Sequence, residues 1–261
     1  GIINIMLESG DSKNIRIHHA HLEEDAGKSL HENYHGMSGI DLNRAGTPLL
    51  EIVTEPDIRS AAEAHSFLEE LKLLMVYLGV SDCNMQEGSL RCDANVNLEI
   101  PTVENESIRT PIVEVKNLNS FRGVEAALVH EITRQQREFE ECGGVYADTA
   151  KQTRGWDADR GVTFAQRGKE EASDYRYFPD PDLVPVKISP EEVESLRSEI
   201  GELPTAIRQR LIEDHGISPY TSDVLVNQGR GVVDYFVAVA QASGDVAVEP
   251  TMNVDDVARA V

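Results

Sequence analysis

Aromatic side chains make up only 5% of the 261 residues, and apolar runs are short. Runs such as Leu73 to Val76 fall far below the 18 or so residues that a helix needs to cross a membrane. A helical membrane span is therefore excluded. Cysteine is scarce: Cys83, Cys92 and Cys142 form an odd set with no Cys-x-x-Cys unit, so no zinc-thiolate or dithiol redox site is encoded and a reducing compartment, the cytoplasm, is expected. Basic residues are also few, 24 against 46 acidic, for a net charge of -22. Such a surplus repels phosphate backbones and argues against unaided nucleic-acid binding, while it attracts divalent cations. The chain opens on Gly1-Ile2-Ile3-Asn4, with no initiator Met and no basic leader before an apolar stretch, so it reads as a piece of a longer protein.

What is present is a soluble, two-domain grammar. Period-two alternation predicts strands at Asn14 to His21 and at Ser89 to Ile100, where Leu90, Cys92, Ala94, Val96 and Leu98 share one face and Arg91, Asp93, Asn95 and Asn97 the other. Ile112 to Leu118 reads as its antiparallel neighbour, and Leu49 to Val53 as a further strand. Ser60 and Glu63 make a capping box for a helix ended by Gly79. A second helix is predicted from Phe121 to Cys142, with Val124, Leu128, Ile132 and Phe139 inward and Gly143-Gly144 as its stop. From Ser189-Pro190-Glu191-Glu192 onward only helix signals occur. The fold class is α+β, with residues 1–188 as one domain and 189–261 as a small helical one.

Acidic side chains are the candidate chemistry. Glu23-Glu24-Asp25 ends a strand, and Glu51 sits within the apolar string Leu49-Leu50-Glu51-Ile52-Val53, where burial would require a cationic neighbour. Asp93 and Glu114 share polar strand faces with Arg91 and Lys116, a mixture suited to Mg²⁺ and to phosphate. The plain alternatives are a solvated turn, the outer face of a sheet and a structural salt bridge. His18, His19 and His21 resemble a metal cluster, but strand alternation turns His18 away from the other two. Ala26-Gly27-Lys28-Ser29 imitates a phosphate-binding loop; Leu22 stands where its first glycine belongs, so that reading fails. Asp93 with Glu114-Val115-Lys116 also fits the short Asp, Glu-x-Lys pattern of metal-dependent nucleases.

Longer strings carry more information. His21 to Lys28 (HLEEDAGK), Asp41 to Val53 (DLNRAGTPLLEIV), Glu55 to Ser60, Glu87 to Asn95 (EGSLRCDAN), Lys116 to Ser120 (KNLNS) and Ser173 to Pro179 (SDYRYFP) occur in order. Together they closely resemble the B subunits of the glutamyl/aspartyl-tRNA amidotransferases, most specifically from about His18 to Val184. The resemblance implies a cradle-like antiparallel sheet domain related to glutamine synthetase, then a helical domain. It implies ATP- and Mg²⁺-dependent phosphorylation of the side-chain carboxylate on misacylated Glu-tRNA(Gln) or Asp-tRNA(Asn). Amidation follows, with ammonia from an A subunit and with a C subunit that braces the pair.

By matching motif, Glu24 and Glu51 are expected to bind Mg²⁺ with Glu23 nearby, and Asp93 and Glu114 to form a second metal position. Arg91 and Lys116 are assigned to phosphate from the strand faces alone. The family's opening Glu-x-His strand and its tRNA-binding tail are expected outside this piece, and Glu249 to Val261 lacks an expected Asn-Trp element, so the piece alone is expected to be inactive. The alternatives are a non-catalytic assembly subunit and the metal-dependent nuclease.

Overall fold

The computed structural model describes residues 1–7, 10–30, 37–101, 107–146, 150–166 and 184–245. They form two compact units, Gly1–Phe67 and Leu68–Val261. The first contains β1 (Ile2–Met6), β2 (Ser12–Glu24), β3 (Lys28–Leu30), β4 (Gly39–Asp41), β5 (Pro48–Thr54) and the start of α1 (Ala61–Tyr77). β1, β2 and β5 make an antiparallel sheet with β2 in the centre, and β3 pairs with β4. Ile3 lies opposite Ile15 and Ile5 opposite Lys13, so these residues share a face, and all three isoleucines are buried. Lys13 reaches Glu63 at 2.7 Å, which sets the first turn of α1 over that face. The Glu63 amide donates to Ser60 Oγ as the capping box requires, but the Glu63 carboxylate accepts from Lys13 and the Arg59 amide instead of the cap amide. Burial pushes the Glu63 pKa up; Lys13 and the Arg59 amide more than offset this and hold it below the ordinary value.

The second unit holds the rest of α1, then β6 (Cys92–Val96), β7 (Glu99–Pro101), β8 (Ser107–Arg109), β9 (Val113–Leu118), α2 (Phe121–Cys142), β10 (Gln152–Asp157) and β11 (Val162–Ala165). Its four-stranded sheet runs β11-β10-β9-β6. β6 and β9 are antiparallel neighbours as the sequence predicts, though β6 is shorter than the alternation that suggested it. The expectation of an antiparallel sheet is corrected at β9 and β10, which are parallel. The reason is the connection: a 22-residue helix carries the chain back to the same end of the sheet before the next strand begins.

That helix, α2, has the bounds and the glycine stop read from the sequence, with Gly143 in the left-handed conformation at φ 63°. Its buried face is different. Val124, Ala127 and Leu128 are followed inward by Glu131 and Gln135 rather than by Ile132 and Phe139. Glu131 is fully buried and meets Arg134 at 2.6 Å, Thr163 Oγ1 at 2.8 Å and Arg154 at 3.5 Å. Burial alone would raise its pKa, but Arg134, Thr163 and Gln135 hold it below the ordinary carboxylate value. A polar cluster thus joins the middle of α2 to β10 and β11, where an apolar stripe was expected.

Between residues 184 and 245 the structure is helical: α3 (Pro190–Glu199), α4 (Pro204–His215), α5 (Pro219–Asn227) and α6 (Arg230–Asp245). Ser189, Pro190 and Glu192 form the capping box that the sequence announced. Ile207, Leu211, Leu225 and Phe236 are the centre of this core, which also takes in Leu73. No helix among the described residues is long and apolar enough to cross a membrane.

Candidate active site

The carboxylates of the first unit lie on the β2–β5 ribbon. Glu51 pairs directly with His21, and Glu23 with Leu49, so Glu51, His21 and Glu23 share one face. Glu24 pairs with Pro48 and faces the other side. The register therefore brings Glu23, not Glu24, alongside Glu51. Glu51 is exposed, and among the described residues it has no ion-pair partner. The burial read into its apolar surroundings is corrected: Leu49 and Leu50 beside it are 37% and 39% exposed, so this end of the ribbon is open to solvent. The third acid of the triplet is structural. Asp25 pairs with Arg44 at 2.7 Å, and its backbone exchanges hydrogen bonds with Thr47 and Gly46, closing the turn between β2 and β5.

In the second unit β6 and β9 place Asp93, Asn95, Glu114 and Lys116 on the face opposite α2. Lys116 Nζ lies 2.9 Å from Asp93 Oδ2 and 3.5 Å from Glu114 Oε2, so one ammonium bridges two carboxylates. Lys151 reaches Glu114 Oε1 at 3.2 Å from the residue just before β10, and Thr153 donates to its other oxygen at 3.4 Å. Burial would raise the Glu114 pKa, but the two lysines hold it below the usual value. Lys116 is desolvated too, yet Asp93 and Glu114 hold its pKa above the ordinary lysine value. It is therefore a fixed positive charge at neutral pH.

A change of register builds this arrangement. Cys92 pairs with Leu118 and Ala94 with Val115, so Asp93 faces two residues, Lys116 and Asn117. Asn117 is the extra one, with φ at 65°, and its side-chain amide donates to the Trp156 carbonyl at 2.9 Å. Beside the step opens a cleft of about 340 Å³ lined by residues 85–88, 90–93 and 117–119. Arg91 is exposed and lines it with Asp93. Cys92 is no candidate nucleophile, because burial and then Asp93 push its thiol up to about 11.

Sequence reasoning missed two contributors, Lys151 and Asn117. Asn117 had a signal, since asparagine is among the non-glycine residues that most readily adopt left-handed backbone. Lys151 had none, because the parallel β9–β10 pairing that delivers it is a long-range event. The string from Ser173 to Pro179 lies outside the described residues. Among the described residues no group of three or more His, Cys, Asp or Glu is set to hold a metal ion.

Comparison with known proteins gives these features a context. The chain is 55% identical over 262 residues to the B subunit of the aspartyl/glutamyl-tRNA(Asn/Gln) amidotransferase of Rhodopirellula baltica, covering 99% of this chain and 52% of that protein. It is 51% identical over 247 residues to the protein of the same name from Alkalilimnicola ehrlichii, covering 95% and 50%. A third relative, from Ectopseudomonas mendocina, is 51% identical over 245 residues, covering 94% and 49%. The chain spans about half the length of these curated relatives. The family model of the GatB/GatE catalytic domain matches residues 1–194, nearly three quarters of the chain and both carboxylate groups described above, and the chain belongs to that family.

Proposed function

We propose that this chain is the carboxylate-activating part of the B subunit of a tRNA-dependent amidotransferase. In this reading ATP phosphorylates the side-chain carboxylate of Glu-tRNA(Gln) or Asp-tRNA(Asn), and ammonia from an A subunit displaces the phosphate, with a C subunit to steady the assembly. The finer fold reading, a cradle of the glutamine-synthetase type, belongs to the same proposal. The observation that carries it is the Lys116 ammonium held between Asp93 and Glu114 at the mouth of a polar cleft, within the stretch matched by the catalytic-domain family.

The chemistry explains why such residues are useful. A carboxylate attacking a γ-phosphoryl group brings anions together, so the site must neutralise charge and align the groups. Lys116, fixed by two carboxylates, and Arg91, exposed at the cleft, supply positive charge to phosphate oxygens. Mg²⁺ prefers hard oxygen ligands, and Asp93 with Glu114, or Glu23 and Glu24 with Glu51, are donors of that kind; bound there it would neutralise the developing charge on the transferred phosphoryl group. That an ammonium already bridges Asp93 and Glu114 supports their suitability for a cation. Glu51 and Glu23 share a face, which favours Glu23 over Glu24 as the partner of Glu51.

The nuclease reading shares the trio Asp93, Glu114 and Lys116. The family match and the net charge of -22 favour the ligase. The test uses the complete subunit assembled with its partners, carrying Asp93→Asn or Glu51→Gln. Phosphate release that depends on ATP and misacylated tRNA should fall about 10²-fold or more, while the assembly still forms. Unchanged turnover in both variants would leave a non-catalytic assembly role, and tRNA cleavage in Mg²⁺ alone would favour the nuclease.

A further inference from the structure

The ribbon of the first unit carries a histidine pair that carboxylate activation does not use. In a regular strand His18 and His19 would point to opposite faces. Here β2 pairs Ile17 with Thr54 and then His19 with Val53, leaving His18 as an extra residue without a partner on β5. Such a bulge turns two successive side chains to the same side. The outcome is visible in the rings. The two Nδ1 atoms lie 2.6 Å apart, the ring centroids are 4.9 Å apart and the planes are inclined by 73°. Both side chains are exposed. The expectation that His18 points away from His19 is corrected accordingly, while His19 and His21 keep the common face expected of them.

Two imidazole nitrogens at this separation can share a single proton or bind a single Lewis acid. At metal–nitrogen bonds of about 2.0–2.1 Å, two cis ligands need their nitrogens about 3 Å apart. The pair must therefore open by a few tenths of an ångström, which exposed rings do by small side-chain rotations. Imidazole suits Cu²⁺, Ni²⁺ and Zn²⁺, whereas Mg²⁺ selects oxygen. The acidic surplus of the chain raises the local concentration of any divalent cation.

We propose that the β2 bulge makes His18 and His19 a two-imidazole site for a borderline transition-metal ion, Cu²⁺ ahead of Ni²⁺ and Zn²⁺. With only two protein ligands, water completes the coordination, so the site is open and rapidly exchanging rather than structural. Its ligands are nitrogens, so it does not compete with the carboxylates proposed for Mg²⁺.

Ni²⁺ titration of the complete subunit, in a large excess of Mg²⁺, tests this. The expected result is saturable Ni²⁺ uptake that weakens tenfold or more in His18→Gln and in His19→Gln, but changes less than threefold in His21→Gln. Cu²⁺ bound to the wild type should show an electron paramagnetic resonance spectrum with hyperfine coupling to two imidazole nitrogens. Far-ultraviolet circular dichroism of each variant checks that the fold is kept, as expected for exposed side chains. Absence of Ni²⁺ uptake in Mg²⁺, uptake that survives the double His18→Gln, His19→Gln variant, or loss in His21→Gln alone would each overturn the proposal.

Discussion

Lys116 Nζ lies 2.9 Å from Asp93 Oδ2, and the contact depends on the extra residue that β9 carries at that point. Without Asn117 in left-handed backbone, the two strands would pair one to one through this stretch. The same local irregularity opens the cleft where Arg91 sits.

Lys116→Met separates the catalytic from the structural contribution of this pair. Lys116 and Asp93 are 39% and 52% exposed, and ion pairs at such sites contribute about 0–1 kcal/mol. Urea unfolding should register a change within about 1 kcal/mol. Under the proposed assignment of Lys116 to the transferred phosphoryl group, turnover of the assembled enzyme should fall about 10²-fold.

Asn117→Ala should cost about 1–2 kcal/mol of stability, since alanine is strained at a φ of 65° and also gives up the bond to Trp156. Asn117→Gly relieves the strain but not the lost hydrogen bond, so it should be the milder of the two. Denaturant midpoints of the two variants check the order.

Glu131→Gln removes the fully buried carboxylate that faces Arg134 and Arg154, and should destabilise the protein by about 3 kcal/mol. The pH dependence has a definite sign. Because the folded pKa of Glu131 is lowered, its ionised form contributes stability above the unfolded value of about 4.3, and that contribution disappears as pH falls through the folded pKa. Unfolding free energies measured from neutral pH downward should therefore decline less steeply below about pH 5 in Glu131→Gln than in the wild type.

Tyr77→Phe probes the tie between the end of α1 and α5. The Tyr77 hydroxyl donates to the Val226 carbonyl at 2.8 Å, while the Arg230 guanidinium stands 5.2 Å from the ring centre. The variant keeps the ring beneath Arg230 and removes one hydrogen bond to the Val226 carbonyl, which still accepts from the Gly229 amide, at a cost of about 1 kcal/mol or less in equilibrium unfolding.

Much of this architecture was legible in the chain. The end of α2 follows from the Gly143-Gly144 pair, and the antiparallel pairing of β6 with β9 follows from their matched alternation. What stayed hidden depended on contacts far apart in sequence. β10 has no strong period of its own and is defined by running beside β9, so Lys151 was invisible as a partner of Glu114. Glu131 and Gln135 look like surface residues until Arg154 and Thr163 arrive from β10 and β11. The bulges at His18 and Asn117 shift which side chains share a face, and period-two reading cannot register a single inserted residue. At Glu51 the flanking apolar residues suggested burial that the open end of the ribbon does not provide.

The most direct test of the central claim is capture of the activated carboxylate. The complete subunit, assembled with its partners but given no glutamine, is incubated with misacylated tRNA, ATP, Mg²⁺ and hydroxylamine, and the aminoacyl hydroxamate is quantified. Wild type should accumulate hydroxamate only when ATP is present, and Lys116→Met should form about 10²-fold less while binding the same tRNA. A wild-type yield from Lys116→Met and Asp93→Asn, or a yield indifferent to ATP, would contradict the assignment of this cluster to carboxylate activation.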